Sequence, residues 1–500
     1  MSRRLTPVAV AERLFAIPPD RDERASQLCS ETLLTLAENG YAAPAGDPRS
    51  PKRQRFAVRS LALSLNFLED RAAGRAGRSD LTPQAYGALL ARGDEVRDSA
   101  NLRLAKQAME GLVDPSTQAG QRGTWLLLPF HEALLWYDAR RQQGRGWGVR
   151  KVYMRGSGIT LARLLLDPPS SSARAAGLVA VSMLRDALRQ ASPLATVADH
   201  LESALDDAED PEVQDDEKAA WAAGGAARLA PLAERVCRHA EGIMAQAAAS
   251  GPARVWQLRT MLALDLALHA LGAARDATDV PVRARHLLLV FGGPARAENR
   301  VRQRSEGSYR TARILIREAT VRALSDAMQE ITAGGGPEGG WLGEFEVRRQ
   351  PKPEISAVVR ELSAAGARDF ERLAREAFHG ANYDRSGDGF RVLLESVGML
   401  TGTGAYRYLT ATPDLLGAMT GALSARMPMP SDEFWQAVFD EWGLLVGPDQ
   451  LASTSLAGQL DGADLARNAR RAEAVLADAG MAVALSDRTT LVGERAVRRR

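Results

Sequence analysis

The feature that most constrains this chain is a pattern written twice near its end. Leu393-Leu-Glu-Ser-Val-Gly-Met-Leu-Thr-Gly-Thr-Gly-Ala-Tyr-Arg-Tyr-Leu-Thr aligns with Val475-Leu-Ala-Asp-Ala-Gly-Met-Ala-Val-Ala-Leu-Ser-Asp-Arg-Thr-Thr-Leu-Val. Gly398-Met399 falls on Gly480-Met481 and Leu409 on Leu491, both at an offset of 82 residues. In each copy an amphipathic helix ends at a glycine suited to a left-handed cap. A strand, a turn rich in Gly, Ser or Asp, and a returning strand of alternating polarity follow. Helical periodicity also lies upstream, over Ile355 to Phe378 for the first copy and over Asp432 to Trp442 and Leu465 to Leu476 for the second.

Helices that lead into a C-terminal hairpin resemble the winged-helix superfamily. The resemblance covers about 145 residues and is one of shape, without a motif that singles out one family. It implies two tandem modules, 354–424 and 425–500. Winged helices set a helix in the major groove and the wing on the adjacent backbone, and they also dock proteins. The resemblance thus points to Tyr406, Arg407 and Tyr408 on the first wing and Arg488 on the second. Arg467, Arg470 and Arg471, one helical turn apart before the second wing, form a phosphate-contacting face or, equally, a solvated helix surface.

The remainder reads as mainly α. Residues 1–198 form a mostly helical domain with a short strand region at Trp125 to Phe130 and Trp147 to Met154. Residues 199–218 form an acidic loop or linker with ten carboxylates between Asp199 and Glu217. A central helical domain, 219–333, contains a buried strand at His286 to Phe291 and an arginine-rich helix from Ser305 to Glu330. The Gly/Pro stretch 334–353 reads as an interdomain linker. The expected fold class is a multi-domain helical protein with short β elements and two winged-helix-like modules.

Composition narrows the partners. Net charge is +2, so any basic site must be local. Two cysteines, Cys29 and Cys237, exclude a disulfide scaffold and suit a reducing compartment. No run of about 18 apolar residues is present and the opening residues lack a secretory pattern, so the expected location is cytoplasmic with no membrane contact. Only five of the 64 basic residues are lysines. That arginine preference suits bidentate phosphate recognition, though codon bias in a GC-rich genome explains it as well.

Few lysines also exclude chemistry. None of the five follows glycine as a P-loop requires. Of restriction-type acidic-x-Lys pairs only Asp216-Glu217-Lys218 fits, within the acidic stretch. His131-Glu132 opens like a zinc-protease motif, but Leu135 stands where the second histidine belongs. Cys237 and His239 have no matching ligand pair nearby. No Gly-x-Ser-x-Gly elbow occurs. No catalytic residue, cofactor or small-molecule substrate is therefore expected.

Three constellations remain. Asp384 to Glu395 matches a calcium loop, with Asp384, Ser386 and Asp388 at the oxygen positions, Gly389 at the turn and Glu395 last. Arg391 replaces an apolar position of that template, and a turn inside the first module explains the same residues. Arg155, Gly156, Ser157, Gly158 and Thr160 form a strand-to-helix turn able to present amides to an anion. Finally, Arg300, Arg302, Arg304, Arg310, Arg313 and Arg317 are interspersed with Ser305, Ser308, Tyr309 and Thr311. This is the composition of a surface that contacts nucleic-acid backbone, or of an exposed helix enriched in arginine by codon bias.

The reading is a non-enzymatic, DNA-binding or scaffold subunit of a bacterial multi-protein system, similar to accessory subunits of antiphage defence. DNA and proteins of the same system are its expected partners. Two rivals stand beside it: a kleisin-type chromosome-organisation subunit, and an enzyme with a lysine-free site.

Overall fold

The computed structural model describes residues 7–21, 23–42, 129–132, 135, 139–142, 146–149, 156–190, 226–292, 300–333, 370–380, 385–424, 427–486 and 489–493. Among them the protein is 69% helical and 6% strand, which makes the fold mainly α with a few short strands. The acidic stretch 199–218, the Gly/Pro stretch 334–353, residues 43–128 of the expected N-terminal domain, and Arg155, Asp384 and Arg488 lie outside the described residues. Two compact units divide the chain. One holds 24–221 and 233–262, the other 1–23, 222–232 and 263–500. Two of the boundaries, after residues 232 and 262, fall inside long helices, Ala226–Met244 and Gly251–Ala277.

Helix α1, Pro7–Phe15, belongs to the second unit, and the first unit begins with α2, Ala25–Glu38. A short antiparallel hairpin, β1 (Ala139–Gln142) with β2 (Gly146–Val149), precedes α3 (Ser157–Leu166) and α4 (Ser171–Leu188). The helices α5 (Ala226–Met244) and α6 (Gly251–Ala277) contribute residues to both units. Two glycines set the helix spacing. A Cβ on Gly158 would lie 2.6 Å from Glu31 Cβ, and one on Gly177 would lie 2.3 Å from the Leu165 carbonyl. Backbones can approach this closely only where no side chain intervenes. Leu28, Leu33, Leu161, Leu164, Leu184 and Val236 fill the resulting core.

The second unit is organised by strand β3 (Leu287–Leu288) and the extended residues that follow it. Strand β3 runs parallel to β7 (Leu444–Leu445), with Leu287 N donating to Gly443 O at 2.9 Å and Leu289 N to Leu445 O at 3.0 Å. One residue on, Val290 N donates to Leu409 O of strand β5 (Tyr408–Leu409) at 2.9 Å. The segment 287–291 therefore joins both C-terminal copies of the repeat. Beside it runs α7 (Arg300–Ala333), which buries Val301, Ser305, Tyr309, Ala312, Ile316 and Leu324 along one stripe. Ser305 closes the seam: its hydroxyl accepts Leu409 N at 2.8 Å and donates to Leu409 O at 3.2 Å.

The first copy comprises α8 (Phe370–Gly380), α9 (Arg385–Ser396), and a hairpin of β4 (Leu400–Thr401) with β5. A connecting helix, α10 (Pro413–Ser424), leads to β6 (Met429–Pro430) and α11 (Ser431–Trp442). The second copy continues through β7 to α12 (Gly462–Asp478) and a hairpin of β8 (Ala482–Ser486) with β9 (Thr489–Val492). Strand β6 adds to β9, giving the order β6-β9-β8. The two helix ends are made alike. Gly398 has φ +74° and Gly480 φ +71°. Met399 N donates to Leu394 O at 2.9 Å, and Met481 N to Leu476 O at 2.8 Å. These are the six-to-one bonds of a glycine-terminated helix.

The strand register shifts the repeat by one residue. Leu409 pairs with Leu400, whereas Leu491 pairs with Val483 and Val492 with Ala482. Val492, fully buried like Leu409, holds the equivalent place. An irregularity between Ala484 and Ser486 marks where the second hairpin departs from regular pairing.

Candidate nucleic-acid interface

Helix α12 is built to hold one face in and one face out. Asp461 caps its start, accepting Ala463 N at 2.9 Å, and Asp464 adds a carboxylate to the first turn, where the helix dipole favours it. Leu465, Asn468, Ala472 and Leu476 are buried at helical spacing. Leu465 joins Leu288, Val290, Val301, Leu445 and Leu460 in one cluster. Asn468 is the polar member of that stripe and bonds in three directions. Its oxygen accepts Phe291 N at 2.7 Å; its amide donates to Leu289 O and Val446 O, each at 2.9 Å.

With that face fixed, Arg467, Arg470 and Arg471 are exposed. Arg467 pairs with Asp464, an exposed contact that contributes little to stability. The Arg471 guanidinium lies against Gly292, whose φ is +136°. A Cβ there would come within 2.7 Å of Arg471 Nη1. Helix α12 then runs through Gly480 directly into the β8–β9 hairpin.

The other basic residues separate into two groups. Arg300, Arg304 and Arg310 on α7 are exposed. Arg302, Arg313 and Arg407 are half-buried and engaged. Arg302 pairs with Glu306 at 3.2 Å and lies 4.5 Å over the Tyr408 ring. Arg313 reaches Asp388 at 3.4 Å, and Arg407 reaches Glu395 at 3.3 Å. Of Tyr406, Arg407 and Tyr408 on the first hairpin, Tyr406 is the exposed one, at 70%. The three residues expected to share that wing surface are thus split: Arg407 turns back onto α9, and Tyr408 is covered by Arg302.

Two sequence-based sites are corrected by the geometry. The calcium pattern is helix, since Ser386, Asp388 and Glu395 all lie on α9. Ser386 is buried, and Asp388 and Glu395 are both paired with Arg391, at 3.9 and 2.8 Å. Gly389 is explained by packing: a Cβ there would lie 2.5 Å from the Pro19 carbonyl. Among the described residues no group of three or more His, Cys, Asp or Glu side chains could hold a metal ion.

The amide turn at Gly156 to Thr160 is already filled from within. Glu31, fully buried on α2, accepts Gly156 N at 3.0 Å and Gly158 N at 2.8 Å. Ser157 is buried beside it, and the Thr160 hydroxyl donates to Gly156 O at 3.2 Å. Burial pushes the Glu31 carboxyl up to about 7, against the lowering effect of the amides of Gly158, Gly156 and Ile159. The amides that a helix start could offer to an anion are thus taken up by the protein's own carboxyl group.

The half-motif at His131-Glu132 is likewise structural. Glu132 accepts from Arg189 at 2.7 Å and from Tyr41 Oη at 3.2 Å. Cys237 Sγ donates to Leu164 O at 3.2 Å. None of the functional reasoning from sequence singled out Glu31, Asn468 or the role of Ser305. Asn468 carried a usable signal, because it interrupts the apolar stripe of Leu465, Ala472 and Leu476.

No family model matches the chain, and neither the curated proteins nor the solved structures contain a match. No described helix is long and apolar enough to cross a membrane.

Proposed function

We propose that the chain is a non-enzymatic nucleic-acid-binding subunit that grips duplex DNA through its C-terminal repeat. In this reading the two copies act as winged-helix-like modules. Helix α12 is presented to the duplex and the β8–β9 hairpin lies on the neighbouring backbone. The observation that carries the reading is the outward triad Arg467, Arg470 and Arg471 on a helix whose opposite face is locked by Asn468. Arginines held on a rigid element give phosphate contacts without ordering a loop first. Arg300 and Arg304 at the start of α7 are exposed as well and are available to a backbone. The helices of the other unit serve as scaffold for proteins of the same system.

The test is a titration of the full chain against labelled duplex at several salt concentrations. Binding should weaken steeply with salt, with a log–log slope of about −0.9 per neutralised phosphate. The triple charge reversal Arg467→Glu, Arg470→Glu and Arg471→Glu should flatten that slope and abolish binding. Binding that is independent of salt or indifferent to the reversal would overturn the DNA reading and leave protein docking as the use of this face.

A further inference from the structure

Arg310, Arg313 and Arg317 sit on one face of α7 and meet Arg407 of the first hairpin around a cavity of about 220 Å³. Glu306 and Tyr309 complete the polar lining. The 3₁₀ turn Gly404–Tyr406 supplies the opposite lip, where Gly404 and Ala405 offer almost no side-chain bulk. Ile314, 49% exposed, contributes the apolar part of the lining.

The back of the cavity is an alternating chain of charge. Arg313 contacts Asp388, Asp388 contacts Arg391, Arg391 contacts Glu395, and Glu395 contacts Arg407. These carboxylates orient the guanidinium groups without neutralising the site. Asp388 and Glu395 are shared among Arg313, Arg391 and Arg407, and Glu306 is engaged by Arg302. Arg310 is exposed and has no partner among the described residues. The lining therefore holds a surplus of positive charge.

One buried donor is unused. Tyr309 is 5% exposed, its ring stacks on Phe390 at 6.5 Å, and its hydroxyl has no hydrogen-bond partner among the described residues. A buried hydroxyl without a partner is costly, and native structures tolerate few of them. Burial raises the phenol's pKa above its ordinary value while Arg313, Arg407 and Arg391 oppose the rise. The hydroxyl thus stays protonated and able to donate.

We propose that this cavity is a binding site for a small phosphate-bearing anion, held by Arg310, Arg313 and Arg407 with Tyr309 donating to one of its oxygens. Guanidinium forks match tetrahedral oxyanions, and several of them converge here on one small volume. Cavities for drug-sized ligands span about 300–1,000 Å³, so this one suits a phosphate or diphosphate group with the rest of the ligand outside. Half-buried Arg313 and Arg407 are too recessed to follow a duplex backbone, which separates this site from the exposed face of α12.

Calorimetry on the full chain with inorganic phosphate, pyrophosphate and a nucleoside triphosphate tests the assignment. Saturable one-to-one binding of any of the three supports it, and the preferred one identifies the source of the phosphate. Tyr309→Phe should weaken that binding about tenfold, and Arg313→Gln with Arg407→Gln should remove it. The α12 triple reversal should leave it intact, so loss of duplex binding and loss of phosphate binding are separable. Without ligand, Tyr309→Phe should melt at the same temperature or higher, because it removes a hydroxyl that has no partner. No binding of any probe at millimolar concentration would overturn the proposal. So would unchanged affinity in the variants, loss of phosphate binding in the α12 reversal, or a lower melting temperature for ligand-free Tyr309→Phe.

Discussion

The side-chain oxygen of Asn468 accepts the backbone N–H of Phe291 at 2.7 Å, across 177 residues of chain. The same side chain donates to Leu289 O and Val446 O, so one amide ties α12 to the shared segment 287–291 and to the end of β7. All three partners are backbone groups of buried residues.

Asn468→Ala should therefore destabilise the protein by roughly 2–4 kcal/mol, because it strands one buried donor and two buried acceptors. Asn468→Asp should be at least as harmful, since it loses the donors and buries a charge. Denaturant midpoints measure both. A loss within about 0.5 kcal/mol, typical of surface substitutions, would show that Asn468 does not lock the helix.

A fragment starting near residue 350 should fail to fold cooperatively, although the repeat looks self-contained in sequence. Leu288, Val290 and Val301 lie in one cluster with Leu445, Leu460 and Leu465. Removing 287–333 leaves β7 and β5 without their neighbour and Leu409 without Ser305. A fragment starting near residue 280 restores these contacts and should regain a cooperative thermal transition. Equal cooperativity in the two fragments would show that each copy is an independent domain.

That contrast marks what the sequence could disclose. Local signals were legible: periodicity located α11 and α12, and the glycine caps at Gly398 and Gly480 were visible because only glycine accepts that backbone conformation cheaply. The one-residue register slip was not, since it is set by how the strands pair and not by the repeated residue types. Gly389 resembled a calcium-loop turn, yet its lack of a side chain serves the approach of Pro19, 370 residues away. The turn at Gly156 resembled an anion site, but its amides are engaged by Glu31, 125 residues upstream. Pattern reading finds the chemistry of such a turn; only the tertiary structure says who occupies it. The arginines divide on the same ground, because burial of Arg313 and Arg407 and exposure of Arg470 arise from packing.

Both cysteines should be inert in the folded protein. Cys29 is fully buried, as is Cys237, and desolvation pushes each thiol up to about 12. At pH 8 the thiolate fraction is then negligible, and the thiolate is the reacting species. An aromatic disulfide reagent should label both only at the rate at which the core opens, and fully in denaturant. Rapid labelling of either one in native buffer would contradict the packing of α2 or α5.

The buried Glu31 should give the first unit a pH-dependent stability. Its folded-state carboxyl is raised by desolvation from an ordinary 4.5 to about 7. Between these values the folded state holds a proton that the unfolded chain has released, so folding is favoured by low pH. The contribution is complete below about pH 4.5, declines as pH rises, and is gone above about pH 7. It is worth on the order of 3 kcal/mol at most. Glu31→Gln cannot ionise and keeps one acceptor oxygen for Gly156 or Gly158, so it should lack this decline. Near pH 5 the variant should be the less stable one, because its side-chain NH2 faces one of the two backbone N–H groups that a carboxyl oxygen accepts in Glu31. Between pH 5 and pH 8 that deficit should shrink by up to about 3 kcal/mol, as the Glu31 protein loses its contribution and the variant does not. Denaturation curves of both proteins at pH 5 and pH 8 decide the matter: parallel behaviour would mean that Glu31 is ionised throughout, held by the amides of Gly156 and Gly158 alone.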